Sequence, residues 1–589
     1  MKFKKKSSVT NTTPFSPLAK KISVHLTQTI KSNSNKISGE AVEQALEQAS
    51  NHCAIALHDG QGALLIGGDA VNYAIPLDSK EAQGIFLQAA RSAGAISLTQ
   101  RDLNSAVDAL KLNATIQGDE AHISVFNSYI NDDFPGQGVI LNTHCPDGTA
   151  LSITNGSVDY VNEMTEVTFK WAPNNGALTY NKEASTKDTP AKLHKLFSNL
   201  SYEKFMLTMA YASFILTHPR SNGLTFPILY LYGEAGTGKT TVARLITKLL
   251  GLGETSVKSQ PKSAKDLVAN TAQDYVLCFD NCGAINTELS NALCGVATGN
   301  TVSDRRLYTN NEIVNTQLHQ PLILTSIEFA KQYDLTTRSL FLKADKPAIS
   351  YSSDTEIFRI LDSMLTEAQS WLLETSASAM NLKGLIEPIL EHRAGDFCHW
   401  LAAFESAVGI EDQLLQKHVH HVQQEALKHQ ALDHDAVLAA IVAIVGEYGK
   451  FEGNPTEVHK QLTSYAETLG RLPKQWPLNA SAMSNKLNRL TDQLAKQGVE
   501  VISGGTRGTN GRKLIVQPLE TVDAVDTVDT VEAQSENISE SPYIPSPNIW
   551  DDVEDDSFDD DTNDDILNDE SDTPIDQEEA NRLACEMLG

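Results

Sequence analysis

A glycine-rich loop between an apolar run and a helical pattern constrains the fold more than any other feature. Residues 226–251 read FPILYLYGEAGTGKTTVARLITKLLG, and Gly233, Gly238, Lys239 and Thr240 match the spacing G-x-x-x-x-G-K-[ST] of the phosphate-binding loop. Glycines permit positive-φ backbone that turns N–H groups toward phosphate, and the helix directs its positive end at the same anion. The pattern predicts a buried strand, an anion-binding turn and a helix.

Nine consecutive residues form the predicted nucleotide-binding segment: Gly233, Glu234, Ala235, Gly236, Thr237, Gly238, Lys239, Thr240 and Thr241. The side chain of Lys239 is a point charge that can reach the β- and γ-phosphates. The hydroxyl of Thr240 suits the octahedral oxygen shell of Mg²⁺. The segment therefore predicts that the chain binds a nucleotide together with Mg²⁺.

A second motif follows the loop. Residues 275–281 read YVLCFDN, an apolar run that ends at Asp280. A carboxylate at the carboxyl end of a parallel strand lies beside a phosphate loop and can hold the Mg²⁺ of its nucleotide. Asn281 stands where many ATPases have a catalytic glutamate, and an amide cannot act as a general base. The group that orients an attacking water is left open.

A hairpin is predicted within residues 293–311, where Gly and Asn turn signals surround Arg305, Arg306 and Tyr308. Two guanidinium groups and an aromatic ring at a hairpin tip suit a nucleic-acid backbone and its bases. A surface hairpin with solvated arginines fits the same pattern.

Two further stretches carry polar side chains beside apolar strands. Residues 321–329 read PLILTSIEF, and Thr325 or Ser326 at the end of this strand could bond a γ-phosphate or a water. Arg338 precedes another apolar strand. Its chemistry suits either a salt bridge or a finger that reaches the nucleotide of a neighbouring subunit.

The order of these motifs resembles the ATPase core of superfamily III helicases, in particular the primase-helicase-like proteins of bacteriophages and integrated mobile elements. The stretches that carry the resemblance are, in order, the phosphate loop, FDN, ALCGVATGN, DRRLYTNNE, QPLILTSI and DLTTRSL. HRAGDFCHWLAAFESAVG, at 392–409, is similar to the helical segment that follows that core. The resemblance covers roughly residues 151–515. It implies an AAA+-type homo-hexameric ring with ATP at the subunit interfaces.

The resemblance assigns roles to the residues that match. Lys239 and Thr240 would bind phosphate and Mg²⁺, and Asp280 would bind Mg²⁺. Arg305 and Arg306 would lie on the hairpin that enters the central channel, where single-stranded DNA is expected.

Arg338 would be the finger that reaches a neighbour's ATP. The sequence departs from the family at Thr325, because these proteins often have a longer Asn in the sensor position. The amino-terminal part also has no recognisable primase motif, so priming is not implied.

The chain as a whole is predicted to be an α/β protein built around this core. Its predicted parts are a flexible basic arm (1–38), an α/β accessory domain (39–175), a three-layer AAA+-type core with helical connector and lid (190–410), a winged-helix-like domain (435–517) and a disordered acidic tail (518–589).

The predicted winged-helix-like domain is basic in an acidic protein. Residues 456–517 carry nine Lys and Arg against four Asp and Glu, a local sign reversal that favours a polyanion partner such as duplex DNA. Lys486 and Arg489 are candidate contacts on a recognition helix, and Arg507, Arg512 and Lys513 on the wing. A winged helix used only for protein contacts is the alternative.

The acidic tail accounts for most of the formal charge. Residues 518–589 carry 24 Asp and Glu against Arg582 alone, so the tail carries −23 of the total −28. The charge of the whole chain is therefore uninformative about the folded part. The tail could dock a protein partner, mimic DNA, or simply solubilise the chain.

Other residues argue for a reduced, cytoplasmic chain. The seven cysteines are scattered, and no stretch has the length of a signal or membrane-spanning segment. The pair Asp132-Asp133 is interpreted as turn chemistry. Arg393 is expected to pair with Asp396, although a phosphate contact is the alternative. Five histidines are expected on exposed helix faces: His392, His399, His418, His420 and His421.

Three functions share these motifs. The leading hypothesis is an ATP-driven DNA helicase or translocase that replicates a phage or mobile element. The second is a nucleotide-gated regulatory DNA-binding ATPase that does not unwind DNA, and the third is a defence ATPase triggered by foreign DNA.

Overall fold

The structure is a computed structural model. It describes the following residues: 53–58, 61–92, 100–117, 122–131, 138–145, 147–154, 156–172, 176–221, 223–252, 257–271, 274–283, 285–305, 313–349, 353–411, 413–470, 472–473, 475–508 and 511–519. The predicted basic arm, Asp132-Asp133 and nearly all of the predicted acidic tail lie outside these ranges. No helix within them is long and apolar enough to cross a membrane.

The described residues of the amino-terminal part form two sheets and two helices. Its elements are β1 (Cys53–His58), β2 (Gln61–Gly67), β3 (Asn72–Pro76), α1 (Lys80–Ser92), α2 (Gln100–Gln117), β4 (Ile123–Ser124), β5 (Asn127–Tyr129), β6 (Val139–Asn142), β7 (Ala150–Thr154), β8 (Ser157–Tyr160) and β9 (Thr168–Lys170). One sheet has the order β1-β2-β3-β9-β4, and the other is the antiparallel meander β5-β6-β7-β8.

The central part contains a parallel sheet between helices. Its elements are α3 (Thr189–His194), a 3₁₀ turn (Lys195–Phe197), α4 (Tyr202–Thr217), β10 (Ile228–Tyr232), α5 (Lys239–Leu249), β11 (Val257–Ser259), α6 (Ala264–Thr271), β12 (Leu277–Asp280), α7 (Thr287–Thr298), β13 (Asn300–Arg305), β14 (Ile313–Leu318), β15 (Leu322–Ser326), α8 (Tyr333–Thr337), β16 (Ser339–Lys343), α9 (Asp354–Ser363), α10 (Leu365–Leu382), α11 (Gly395–Ala407) and α12 (Leu414–His434).

The central sheet has the strand order β11-β12-β15-β10-β16, and all neighbours run parallel. Successive residues of β10 face opposite sides, as a strand requires. Leu229 and Leu231 pack with residues of α4, α5, α10 and α11, whereas Ile228 and Tyr230 pack with residues of α7, α8 and α12. Both faces are therefore covered by helices, which explains the continuous apolar run of β10. The mixed α/β class predicted from the sequence is confirmed.

The meander β5–β8 shares its hydrophobic core with the central part. Phe126, Leu141 and Ile153 belong to the same buried cluster as Phe205 of α4 and Leu372 of α10. The meander, which falls within the predicted accessory domain at 39–175, is therefore buried against helices of the central part. Sequence patterns missed this because apolar alternation shows which side chains are buried, not what they are buried against.

The carboxyl-terminal part is a small helical unit with a three-stranded sheet. Its elements are α13 (Ala436–Tyr448), β17 (Phe451–Gly453), α14 (Pro455–Leu469), α15 (Ala480–Lys496), β18 (Val499–Gly508) and β19 (Gly511–Pro518). The sheet is antiparallel with the order β17-β19-β18. Local signals start the helices: Asp435 caps α13, and Asn454 with Glu457 forms a capping box on α14.

Candidate nucleotide-binding site

The glycine-rich loop joins the carboxyl end of β10 to α5. Gly233, Gly236 and Gly238 have φ angles of 146°, 80° and 76°, a region that side chains disfavour. A Cβ on Gly233 would lie 2.4 Å from the carbonyl oxygen of Ala344, whereas one on Gly236 would meet nothing within 4 Å. The predicted strand, turn and helix are present. The positive φ angle favours glycine at Gly233 and Gly236, and at Gly233 the nearby carbonyl of Ala344 also leaves no room for a side chain.

Lys239 is the first residue of α5, and its ammonium lies over the loop. Nζ donates to the carbonyl oxygens of Gly233 at 2.8 Å and Glu234 at 2.7 Å. The residue is 8% exposed. Burial lowers the pKa of Lys239, and the nearby carboxylate of Asp280 opposes that shift. The loop therefore holds a buried positive charge at the start of a helix.

Asp280 lies at the carboxyl end of β12, where two threonines converge on it. The hydroxyl of Thr240 donates to Oδ1 of Asp280 at 2.7 Å, and the hydroxyl of Thr325 donates to the same atom at 2.5 Å. Thr240 comes from the loop and Thr325 from β15, the strand between β12 and β10. The structure thus brings together Thr240, Asp280 and Thr325, three residues that the sequence selected from separate motifs.

Asn281 adopts a left-handed backbone with φ of 53°, which Asn tolerates better than most residues. Its N–H donates to the Thr325 hydroxyl at 3.0 Å. The hydroxyl of Thr325 therefore accepts from one neighbour and donates to another. The other candidate, Ser326, instead donates to the carbonyl of Cys282 at 2.8 Å.

Asn199 is a loop contact that the sequence did not reveal. It lies between the 3₁₀ turn and α4, within the predicted helical connector, and is 5% exposed. Its amide nitrogen donates to the carbonyl of Thr237 at 2.7 Å. Asn199 also lines a cavity of about 260 Å³ beside Gly236 and Gly238. The contact spans 38 residues of sequence, and no motif spacing signals it.

Arg338 lies at the amino ends of the parallel strands, opposite the end that carries the glycine-rich loop. Its carbonyl accepts from the N–H of Ile228, at the amino end of β10, while the loop follows the carboxyl end. The five residues of β10 separate the two by roughly 16 Å at 3.3 Å per residue. Arg338 is therefore placed away from the loop of its own chain.

The guanidinium of Arg338 donates through Nη1 to Oδ1 of Asp334 at 3.1 Å, and Arg393 donates to the same oxygen at 3.0 Å. The prediction that Arg393 pairs with Asp396 is wrong. Arg393 precedes α11 rather than lying within it, so the helical spacing that favoured Asp396 does not apply.

The predicted hairpin is formed by β13 and β14, which pair from Asn300 with Leu318 to Arg305 with Ile313. Its first strand begins later than the sequence indicated, because residues 293–298 belong to α7. Arg306 and Tyr308 lie outside the described residues, as does the side chain of Arg305.

Among the candidate DNA contacts of the carboxyl-terminal part, two lysines are already paired. Lys486 on α15 forms an ion pair with Asp435, and Lys513 on β19 pairs with Glu452 at 2.6 Å. Arg489 is exposed on α15. The side chains of Arg507 and Arg512 lie outside the described residues.

Other candidate chemistry is limited in the part of the chain that the structure describes. No group of three or more His, Cys, Asp and Glu there could hold a metal ion. His399, His420 and His421 are exposed as expected, whereas His392 and His418 are half-buried. Burial lowers the pKa of His392 to about 4.

Two family models match adjacent regions of the chain. Residues 196–418 match an "Actinomycete integrative conjugative element replication protein", and residues 437–524 match the carboxyl-terminal domain of the same family. The matches indicate a replication protein of a mobile element. A comparison with curated proteins found no match.

The solved structures that resemble the chain include apo structures of the NrS-1 C terminal region. One is 13% identical, with a TM-score of 0.30, and the match covers 63% of this chain and 94% of that one. A second is 13% identical with a TM-score of 0.29, and covers 62% and 93%.

Proposed function

Because two adjacent regions of this chain match replication proteins of integrative conjugative elements, we propose that it is an ATP-driven DNA helicase or translocase that acts in replication of a mobile genetic element. The observation that carries the proposal is the convergence of Thr240 and Thr325 on Asp280 beside the loop that holds Lys239. A phosphate loop and a strand-end carboxylate meet in this way in enzymes that hydrolyse nucleoside triphosphates.

The residues present fit ATP and Mg²⁺. Positive-φ glycines and the start of α5 present N–H groups to phosphate, and Lys239 adds a buried charge. Thr240 and Asp280 supply adjacent oxygen ligands of the kind that Mg²⁺ prefers. When bound, Mg²⁺ neutralises charge on the phosphates. Thr325 holds the Asp280 carboxylate in place.

The position of Arg338 supports an arrangement of several copies. An arginine at the amino ends of the strands can reach the nucleotide of an adjacent copy more readily than the nucleotide of its own chain. The parallel sheet covered by helices on both faces suits the AAA+-type core that the resemblance implies, and the homo-hexameric ring is proposed from that resemblance. In such a ring Arg338 stabilises charge on the phosphates held by its neighbour.

Two DNA contacts belong to this proposal. One is a contact of single-stranded DNA in the ring channel with the segment of Arg305, Arg306 and Tyr308, which lies in sequence between the starts of β13 and β14. The carboxyl-terminal part has the helix and strand order of a winged helix, in which α15 enters the duplex groove and the β18–β19 hairpin forms the wing.

Strand displacement on a forked DNA substrate tests the proposal. We expect the wild type to release the labelled strand only with ATP and Mg²⁺, and Lys239→Ala and Asp280→Asn to abolish release. The double variant Arg305→Ala/Arg306→Ala should keep nucleotide binding and lose DNA-stimulated hydrolysis. Absence of release by the wild type at any protein concentration, with ATP hydrolysis intact, would contradict unwinding.

One observation favours a second function, a nucleotide-gated DNA-binding ATPase in regulation or defence. Asn281 replaces the glutamate that often orients water, and its N–H is bonded to Thr325. Slow hydrolysis would suit a switch that assembles on DNA and does not move along it. Nucleotide-dependent DNA binding without strand release would support this function over the first.

A further inference from the structure

Arg338 and Arg393 meet on one carboxylate oxygen. Their Nη1 atoms lie 3.1 Å and 3.0 Å from Oδ1 of Asp334, although the two arginines are far apart in sequence. The side chain of Arg393 is 42% exposed, that of Asp334 54% and that of Arg338 20%. Two guanidinium groups and one carboxylate leave this surface cluster with a net positive charge.

We propose that Arg393 is a second arginine that, with Arg338, contacts the phosphates of a nucleotide held by an adjacent copy of this chain, and that Asp334 is the positioning residue for both. The inference rests on the proposed function, because it requires a pocket shared between copies. It assigns Arg393 to the pocket of an adjacent copy, on the contact with Asp334 that the structure shows.

The geometry explains why two arginines suit this task. Guanidinium groups donate in a planar fork that matches carboxylate and phosphate oxygens alike. Asp334 already holds one Nη1 of each guanidinium on a single carboxylate oxygen, so both arginines can meet on one oxygen anion. A triphosphate carries more negative charge than a carboxylate, so it competes well for both donors.

The cluster is placed for contact with another molecule. Arg338 lies at the amino ends of the strands, opposite the phosphate loop of its own chain. The guanidinium of Arg393 bonds the same oxygen of Asp334 as Arg338, so it is also remote from that loop. Tyr333, next to Asp334 on the one-turn helix α8, is 54% exposed. An exposed aromatic ring beside paired arginines is typical of surfaces that bind another protein.

A purely structural role makes a different prediction. If Arg393 only joins its loop to α8, its ion pair with Asp334 is an exposed one, and its loss should scarcely affect the melting temperature or the rate of hydrolysis. A large effect on hydrolysis without loss of stability would therefore indicate a contact outside the subunit.

The test uses the full chain with Arg393→Ala, Arg393→Lys and a matched control, Lys331→Ala. Lys331 is exposed and lies on the loop before α8, near Glu328. We expect Arg393→Ala to bind a fluorescent ATP analogue with unchanged affinity and unchanged melting temperature, and to lose at least ~10-fold in kcat. Arg393→Lys should recover only part of the rate, because an ammonium lacks the fork. Lys331→Ala should behave as the wild type.

Mixing variants separates a contact between copies from a contact within one. Lys239→Ala has an inactive pocket and intact arginines. Arg393→Ala has an intact pocket and lacks one arginine. An equal mixture should regain activity, because about a quarter of randomly formed head-to-tail interfaces combine the two intact halves. Mass photometry with ADP and aluminium fluoride gives a second readout: Arg393→Ala should assemble at a higher protein concentration than the wild type.

The outcomes are distinguishable. If Arg338→Ala is rescued by Lys239→Ala and Arg393→Ala is not, the shared pocket stands and the role of Arg393 is overturned. If neither mixture regains activity, the shared pocket itself fails, and the inference fails with it. Wild-type assembly and kcat in Arg393→Ala would also overturn the inference.

Discussion

Replacement of Thr325 by Val tests whether its hydroxyl organises the candidate site. Thr325 is fully buried, donates to Asp280 and accepts from the N–H of Asn281. Valine has nearly the same shape but no hydroxyl, so it leaves that N–H without a partner, at a cost of about 1–3 kcal/mol. Asp280 also loses a hydrogen bond, although the one from Thr240 remains. We expect a total destabilisation of about 2–4 kcal/mol.

Thermal unfolding of the full chain measures this effect. For a unit of 150–250 residues, each kcal/mol shifts the melting temperature by about 2–4 °C, so a destabilisation of about 2–4 kcal/mol lowers it by roughly 4–16 °C. Thr325→Ser is the matched control, since it keeps the hydroxyl and removes only a methyl group, worth about 1 kcal/mol. Mg²⁺-dependent binding of ADP should weaken in Thr325→Val and persist in Thr325→Ser.

The result that would refute this reasoning is a Thr325→Val protein that melts within about 2 °C of the wild type. If such a protein also lost hydrolysis, the hydroxyl would act on the nucleotide, as the sensor role predicts, and not on Asp280.

Three further predictions follow from other parts of the structure. Gly233→Ala should destabilise the chain by about 3 kcal/mol or more, because its Cβ would clash with backbone, whereas Gly236→Ala should cost only about 1–2 kcal/mol of backbone strain; chemical denaturation compares them. Burial lowers the pKa of His319 to about 4 in the folded protein, whereas an unfolded chain protonates near pH 6.5. Between these values only the unfolded state binds the proton, so the free energy of unfolding should fall by about 3 kcal/mol as the pH drops from 6.5 to 4. Denaturation curves of His319→Gln should show a smaller fall over that range, and an identical one would contradict the assignment. Arg489→Ala should weaken duplex DNA binding by about tenfold and reduce the slope of log K against log salt concentration by about one. Lys486→Ala should weaken binding less, because Asp435 already neutralises Lys486; equal losses of affinity in fluorescence anisotropy would contradict this.

The sequence marked those parts of the candidate site whose residues are set by local chemistry. The phosphate loop needs glycine, lysine and threonine at fixed spacing, and Asp280 is marked by the end of an apolar run. Each signal arises within a few residues of the chain, so a single sequence contains it. The mixed α/β class follows from the same alternation of strands and helices.

The sequence did not reveal contacts that depend on how distant segments meet. Asn199 supports the loop from a break between helices, and Arg393 reaches Asp334 from another part of the chain. Neither contact is signalled locally, because Asn between helices and Arg before a helix are ordinary. Arg393 also shows how a helical spacing rule misleads when the residue lies outside the helix.

The common core of the β5–β8 meander and the central helices affects how the protein can be dissected. A fragment that begins at residue 190 would strip Phe126, Leu141 and Ile153 from the apolar surface that they cover, and such a surface favours aggregation. The candidate nucleotide-binding site and the meander therefore have to be expressed together and exchanged together in chimeras. A minimal fragment that keeps the candidate site folded would start upstream of β4, well before the first residue of the glycine-rich loop.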